Sequence, residues 1–481
     1  MIFFVKTAMI VTCIVHYNRI YVDNKRERGR DNMVSKKMVY ISLFIILLLQ
    51  GCAKKDYNHL VDNSNNLTVL NMMSRNSPTY AVEESIWTTF ASENPHIIVT
   101  RHDMDSPAAY FAELSRQLSS GQLDDVVYFY SSGNVKSWTQ VYAANAVKDL
   151  SHFIYPQIQF FRTGLLVGDY DNSNKLGMIP ISSATSHFIY GNQSLMQAYG
   201  INMPQNYEDL LAIKKKLEGT GIDIYSIGAA STNHIEYVLF GAILGRMAGI
   251  HFINNVLTGK TDFHDNNFTS ALAAYQKLFT DEIISDDIFT YDSNQATMRF
   301  LEGKSLFLID AAAKSNVFIG KDTSYDWPKL TQAQQDNISL SVLPELPNSK
   351  IEKSTTSNKT QGFGMSAKIP DNTKKESYAW KLIEYLSSKE VQTIRLKADI
   401  ALPSRNDVID LDIAPNNMVR RRIEFSNSLP NATKIFQRQF PDSVVKILNE
   451  NLALLALNGV TPEIASAKIN SEYKKSQITG Q

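Results

Sequence analysis

Three apolar runs of strand length, spaced by helical patterns, do most to limit what this chain folds into. "LTVLNMM" (67–73), "HIIVTRH" (96–102) and "DDVVYFYSS" (124–132) are short and carry the β-branched and aromatic residues that favour strands. Between the first two, Val82, Ile86 and Phe90 recur at a spacing of four with Trp87 alongside, and Pro95 closes the helix. Between the second and third, Phe111, Leu114 and Leu118 share one helical face before "SSGQ" breaks it. Strand, helix, strand, helix, strand predicts an α/β chain with a parallel sheet covered by helices. Ligands of such sheets collect at the carboxyl ends of the strands. That rule singles out Ser74 and Arg75 after the first strand, and Tyr130 and Ser131 at the end of the third.

At 481 residues the chain is too long for one simple core, so two lobes or domains are expected. The 48 basic and 48 acidic side chains cancel, leaving no global field that would attract nucleic acid. Two cysteines, Cys13 and Cys52, build neither a disulfide framework nor a cysteine metal cluster. The sequence has no HExxH, GxSxG or GxxxxGK[ST] motif, so no catalytic set, metal or cofactor is expected. Paired acids for glycoside hydrolysis depend on spatial separation, which keeps a surface-anchored glycan hydrolase as the enzyme alternative.

The amino terminus reads as targeting. "MVYISLFIILLL" (38–49) is uncharged, follows Lys36 and Lys37, and runs into Gln50, Gly51 and Cys52. It is shorter than the roughly 20 apolar residues of a spanning helix. Leu49-Gln50-Gly51-Cys52 resembles the lipobox of a bacterial lipoprotein, which implies lipidation of Cys52 as the first mature residue. Residues 33–51 are then the signal peptide and 52–66 a polar tether, and the protein sits outside the cytoplasm, held on a bacterial membrane. Residues 1–32 read as an extension upstream of a start at Met33, since "MVSKKMVYIS" is a complete signal-peptide opening.

The order of pieces beyond the tether resembles the extracellular solute-binding proteins of ABC importers, in particular the carbohydrate-type group. "WTTFASENPHIIV", "YFAELSRQLSSGQLDDVVYF" and "ANAVKDLSHFI" are similar to its first lobe, and "KLGMIPISSATSHFIYGNQSLMQAYGINMP" to its crossover into the second. "FTSALAAYQKLF", "ATMRFLEGKSLFLID", "SYAWKLIEYLSSKEVQ" and "VTPEIASAKINSEYKK" carry the likeness to the end of the chain. The resemblance implies a two-lobed periplasmic-binding-protein-like fold with the ligand cleft between the lobes. Lobe one would be 67–177 plus 304–360 and lobe two 180–300 plus 362–481, with "KLGMIPI" and "SLFLID" as crossing strands. It also implies a monomer that captures a small polar solute, a sugar or oligosaccharide, by hinge closure and presents it to the transmembrane subunits of an ABC permease. A lipoprotein that reports to a membrane sensor would need the same lobes and stands as the other alternative.

Within that frame, cleft candidates lie just past strand ends and at crossovers: Ser183, Thr185, His234, Tyr237, Asp310 and Phe363. Each has an ordinary reading as well, because Ser and Thr cap helices and a single His or Asp is commonly a satisfied structural residue. Core packing is the default for Trp87, and for Leu382, Ile383 and Leu386, which recur with Ala379 at helical spacing.

Overall fold

The computed structural model describes residues 63–479 apart from 78, 133–134, 137–140, 142–143, 163–164, 167–174, 231–234, 323–324, 399, 409–411, 413, 415 and 430–431. Of residues 63, 130–132, 135–136, 184, 357–360, 438 and 479 it describes the backbone alone. Cys52 and the expected signal peptide lie outside the described residues.

The first sheet grows from three parallel strands, β1 (Asn66–Met72), β2 (Ile98–Met104) and β3 (Val126–Ser132). β1 pairs with β2 from Asn66 opposite Ile98 to Met72 opposite Met104, and with β3 on its other edge. Parallel neighbours need long crossovers, and two helices supply them, α1 (Tyr80–Glu93) and α2 (Pro107–Ser120). α1 buries Ile86, Trp87 and Phe90, and α2 buries Tyr110 and Leu114. The α2 boundaries follow from local chemistry: Ser106 Oγ accepts the Ala109 N–H at 3.3 Å, Pro107 opens the first turn, and Gly121 ends the helix at φ +66°. The short β4 (Val135–Lys136) folds back on the end of β3.

The chain crosses to the second lobe once β5 (Ile179–Thr185) is complete. Immediately beyond it, β6 (Phe188–Asn192) enters a second sheet with β7 (Asp223–Ser226), β8 (Ser305–Asp310) and β9 (Ile338–Ser341), in the order β7-β8-β6-β9. The core around this sheet is strongly aromatic: Phe252 stacks on Phe268 with centroids 5.6 Å apart, and Phe263 packs against Phe268 at 5.0 Å. Helix α3 (Gly241–Ala248) also belongs to this lobe. A Cβ on Gly245 would lie 1.9 Å from Thr433 Oγ1, so glycine is what lets the helix approach the crossing strands so closely.

β10 (Thr355–Met365) brings the chain back. It runs antiparallel to both β3 and β5, and its first residues pair with β11 (Ala432–Thr433). Helices α4 (Lys374–Leu386) and α5 (Lys389–Lys397) then cover the first sheet, with Ala379, Leu382, Ile383 and Leu386 fully buried in its core. The chain crosses a third time to place α6 (Asn417–Ser428), α7 (Asp442–Ala456) and α8 (Pro462–Thr479) with the second lobe.

This path corrects the expected lobe assignments. "SLFLID" is no crossing strand: β8 pairs with β6 and β7, which puts 304–341 in lobe two, while β10, α4 and α5 belong to lobe one. All six β8 residues are buried, as in a strand covered on both faces. Periodicity identifies such a strand without saying which sheet holds it. Likewise "KLGMIPI" leads into a sheet-one strand, and the crossing comes later, at Ser186 and His187.

Those crossings are polar yet buried. The Ser186 N–H donates to the Thr356 carbonyl at 3.3 Å, and Thr355 Oγ1 donates to the His187 carbonyl at 2.8 Å. His187 is fully shielded, with Nδ1 donating to the Val238 carbonyl at 2.5 Å and Nε2 accepting the Leu343 N–H at 2.9 Å, the pattern of a neutral imidazole. Burial, aided by the Arg246 charge and opposed by the Val238 bond, lowers its pKa from 6.5 to about 4. Between those values the unfolded chain binds a proton that the folded chain does not, so stability is full above about pH 6.5 and declines as the pH falls toward 4. The expected loss across that window is on the order of 3 kcal/mol. Urea unfolding at about pH 7 and about pH 4.5 should show it, and His187→Gln, weaker at pH 7, should lose less over the same interval.

Candidate functional site

The carboxyl ends of β1, β2 and β3 open onto a cavity of about 260 Å³. Asn71, Met72 and Met73 come from the end of β1, Ser74 and Ser77 from the turn after it, and Asp105 and Ser106 from the end of β2. Glu83 and Trp87 reach it from α1, Tyr128 from β3, Gln361 and Phe363 from β10, and Arg395 from α5. The lining comes entirely from lobe one, including the segment that returns to it late in the chain.

Aromatic rings form one wall. Phe363 meets Trp87 edge-on at 6.0 Å and 79°, and meets Tyr128 at 5.2 Å. Trp87 is further fixed by the Arg101 guanidinium 5.2 Å from its ring, itself held by Glu84 at 2.6 Å. Polar groups form the rim. Asn71 Nδ2 donates to Asp103 Oδ1 at 2.8 Å, which leaves its side-chain oxygen for another partner, and Ser74 Oγ accepts the Asn76 N–H at 3.3 Å. Arg395 donates to both oxygens of Glu83, at 2.9 and 3.0 Å, and to the Leu386 carbonyl at 2.9 Å. An aromatic wall facing hydroxyl and carboxamide groups suits a ring whose faces are C–H and whose edge is hydroxylated. The volume falls below the roughly 300–1,000 Å³ of complete small-molecule pockets, as expected of one half of a cleft.

Of the residues singled out from sequence, Ser74 and Phe363 line this cavity together. Arg75 is exposed in the adjoining turn and is not part of the lining. Tyr130 and Ser131 continue β3 past Tyr128, with only their backbone described. Ser183 is turned inward, its Oγ donating to the Pro403 carbonyl at 2.8 Å, and Thr185 is buried beside the crossing. Asp310 is buried in lobe two, accepting from Ser293 Oγ and the Ala311 N–H, both at 2.6 Å. Tyr237 is half-buried against the lobe-two core on a π-helical turn (Glu236–Phe240), and His234 lies outside the described residues.

Sequence reasoning passed over Asn71, Glu83, Trp87, Asp105 and Arg395. Asn71 stands near the end of β1, as Ser74 does, and Asp105 just past the end of β2, so the rule that found Ser74 could have found all three. Trp87 was assigned to core packing. It is buried, at 6% exposure, but its buried ring is the wall of a cavity. Nothing local links Glu83 with Arg395, 312 residues apart.

Arg395 is 4% exposed at its side chain, so its charge relies on Glu83. Glu83→Ala is expected to destabilise the protein by about 3–5 kcal/mol, by leaving a buried guanidinium unpaired. Replacing both residues with apolar ones of similar volume should restore much of that loss, as read from denaturant midpoints.

Solved structures with this fold include a bacterial solute receptor described as having an exclusive preference for β-D-galactopyranose, similar at 12% identity and a TM-score of 0.66 over 85% of this chain and 99% of its own. A chitin oligosaccharide binding protein is similar at 17% identity and a TM-score of 0.59, over 86% and 99%. A probable secreted solute-binding lipoprotein from Streptomyces coelicolor is similar at 14% identity and a TM-score of 0.64, over 85% and 98%. The sequence model of the bacterial extracellular solute-binding proteins matches residues 75–393, most of the described chain, and this protein belongs to that family.

Proposed function

We propose that this protein is a lipid-anchored extracytoplasmic receptor that closes two lobes around a sugar or oligosaccharide and delivers it to an ABC permease. The observation that carries the reading is the lobe-one cavity, where Trp87, Tyr128 and Phe363 face a rim of Asn71, Ser74, Asp105 and Gln361 at the carboxyl ends of parallel strands. Apolar ring faces and many hydroxyls on one small ligand call for that combination. Proteins of similar fold described as binding galactopyranose and chitin oligosaccharide support the ligand class.

The mechanism follows from the connectivity. Crossing segments around Ser186, between β9 and β10, and between α5 and α6 join the lobes, so a few residues absorb a hinge motion while each sheet moves as a body. A ligand seated on the lobe-one wall gains lobe-two contacts only on closure, and that difference in contacts selects the closed form. The permease then distinguishes loaded from empty receptor by shape. Lipid on Cys52 keeps the receptor at the membrane, each buried CH₂ contributing about 0.8 kcal/mol.

A thermal-shift screen of oligosaccharides should find a ligand that stabilises the protein by about 2.7 kcal/mol at one hundred times its Kd. Trp87→Ala should weaken that ligand by about tenfold or more while the empty protein stays folded. Cys52→Ser should move the protein from the membrane fraction to the soluble fraction. Deletion of the gene should abolish uptake of the identified ligand; intact uptake would favour a sensing role.

A further inference from the structure

The lobe-one cavity carries more negative charge than its cations offset. Glu83 is spent on Arg395, which donates to both of its oxygens at 2.9 and 3.0 Å. Just outside the lining, Arg101 divides its guanidinium between Glu84 at 2.6 Å and Asp103 at 3.3 Å. Asp105 completes the group. It is exposed, it lines the cavity, and its carboxylate has neither an ion pair nor a hydrogen bond among the described residues. Arg75, exposed in the turn after β1, forms no ion pair with it. Four carboxylates thus meet two guanidiniums, and the one left without a cation faces the ligand space.

The rest of the lining shares this bias. Asn71 gives its Nδ2 to Asp103 at 2.8 Å, so the group it has left for a ligand is an acceptor oxygen. The aromatic wall of Trp87, Tyr128 and Phe363 attracts cations as well as C–H groups, and the Arg101 guanidinium, 5.2 Å from the Trp87 ring, already uses that attraction. A protonated amine brings a positive charge, three donors and no acceptor, which is what an acceptor-rich, negatively charged cavity lacks. A hydroxyl in its place satisfies a hydrogen bond and leaves the charge of Asp105 unopposed. That difference grows when the lobes close and screening water leaves.

We propose that Asp105 binds an ammonium group of the solute, and that the saccharide taken by this protein is an amino sugar with its amine free. The inference rests on the reading that the solute is a saccharide held at the lobe-one wall. N-acetylation removes the charge and adds an acceptor, so an N-acetylated sugar is the disfavoured neighbour of the same backbone.

Calorimetric titration of the full chain tests this with gluco- and galacto-oligosaccharides of matched backbone that bear a free amine, an N-acetylated amine or a hydroxyl, at a pH where the amines are protonated. The free-amine member should bind about tenfold more tightly than its hydroxyl match at low salt, and the advantage should shrink as salt is raised. Asp105→Asn, which keeps a polar side chain without the charge, should bring that ratio to within about twofold, and Asp105→Glu should restore part of it. The melting temperature of each variant establishes that it is folded. Equal binding of amine and hydroxyl members, a preference for the N-acetylated member, or an amine preference that survives Asp105→Asn overturns the ammonium site. Equal affinity for a simple diamine such as putrescine overturns the amino sugar. Silence across all the saccharides overturns the reading on which the inference rests.

Discussion

The hydrogen bonds that tie Ser186 and His187 to Thr355 and Thr356 are the constraint on which the rest depends. They lie where the backbone leaves one sheet and enters the other, and every group there is buried. Buried peptide groups must be paired, and pairing the outgoing crossing with the returning one satisfies both at once. The same bonds hold the two strands together at the joint between the lobes. Arg246, fully buried and donating to the carbonyls of Leu343 and Pro344, braces the returning segment from the lobe-two side.

From that joint the functional features follow in space. β5 and β10 leave it side by side and complete the first sheet, bringing Phe363 to the ends of β1 and β3 where the cavity opens. The later crossing brings 402–406 alongside β5, and Arg162 alongside that segment, on the outer edge of the same sheet.

Local patterns carried the lobe-one core well. The faces set by Ile86 and Phe90, by Leu114, and by Ala379, Leu382, Ile383 and Leu386 are those that the helical spacings specify. The strand-end rule reached Ser74 and stopped short of Asn71, which lies inside β1, and it missed Asp105 because it was not applied to the end of β2. Sheet membership was not legible. "SLFLID" has the composition of any central strand, and only its pairing with Tyr190 and its neighbours assigns it to the second sheet.

The Glu83–Arg395 ion pair joins the first helix of lobe one to almost the last element that lobe receives. A nascent chain that has reached β9 still lacks Phe363, Met365, Leu382 and Leu386 from its first core, and Val444, Leu448, Leu452 and Ile469 from its second. Neither lobe can bury its interior from an amino-terminal fragment, so both cores wait for the distal part of the polypeptide. Late closure of this kind prolongs the interval in which the chain remains threadable, a useful property in a family whose members work outside the cell.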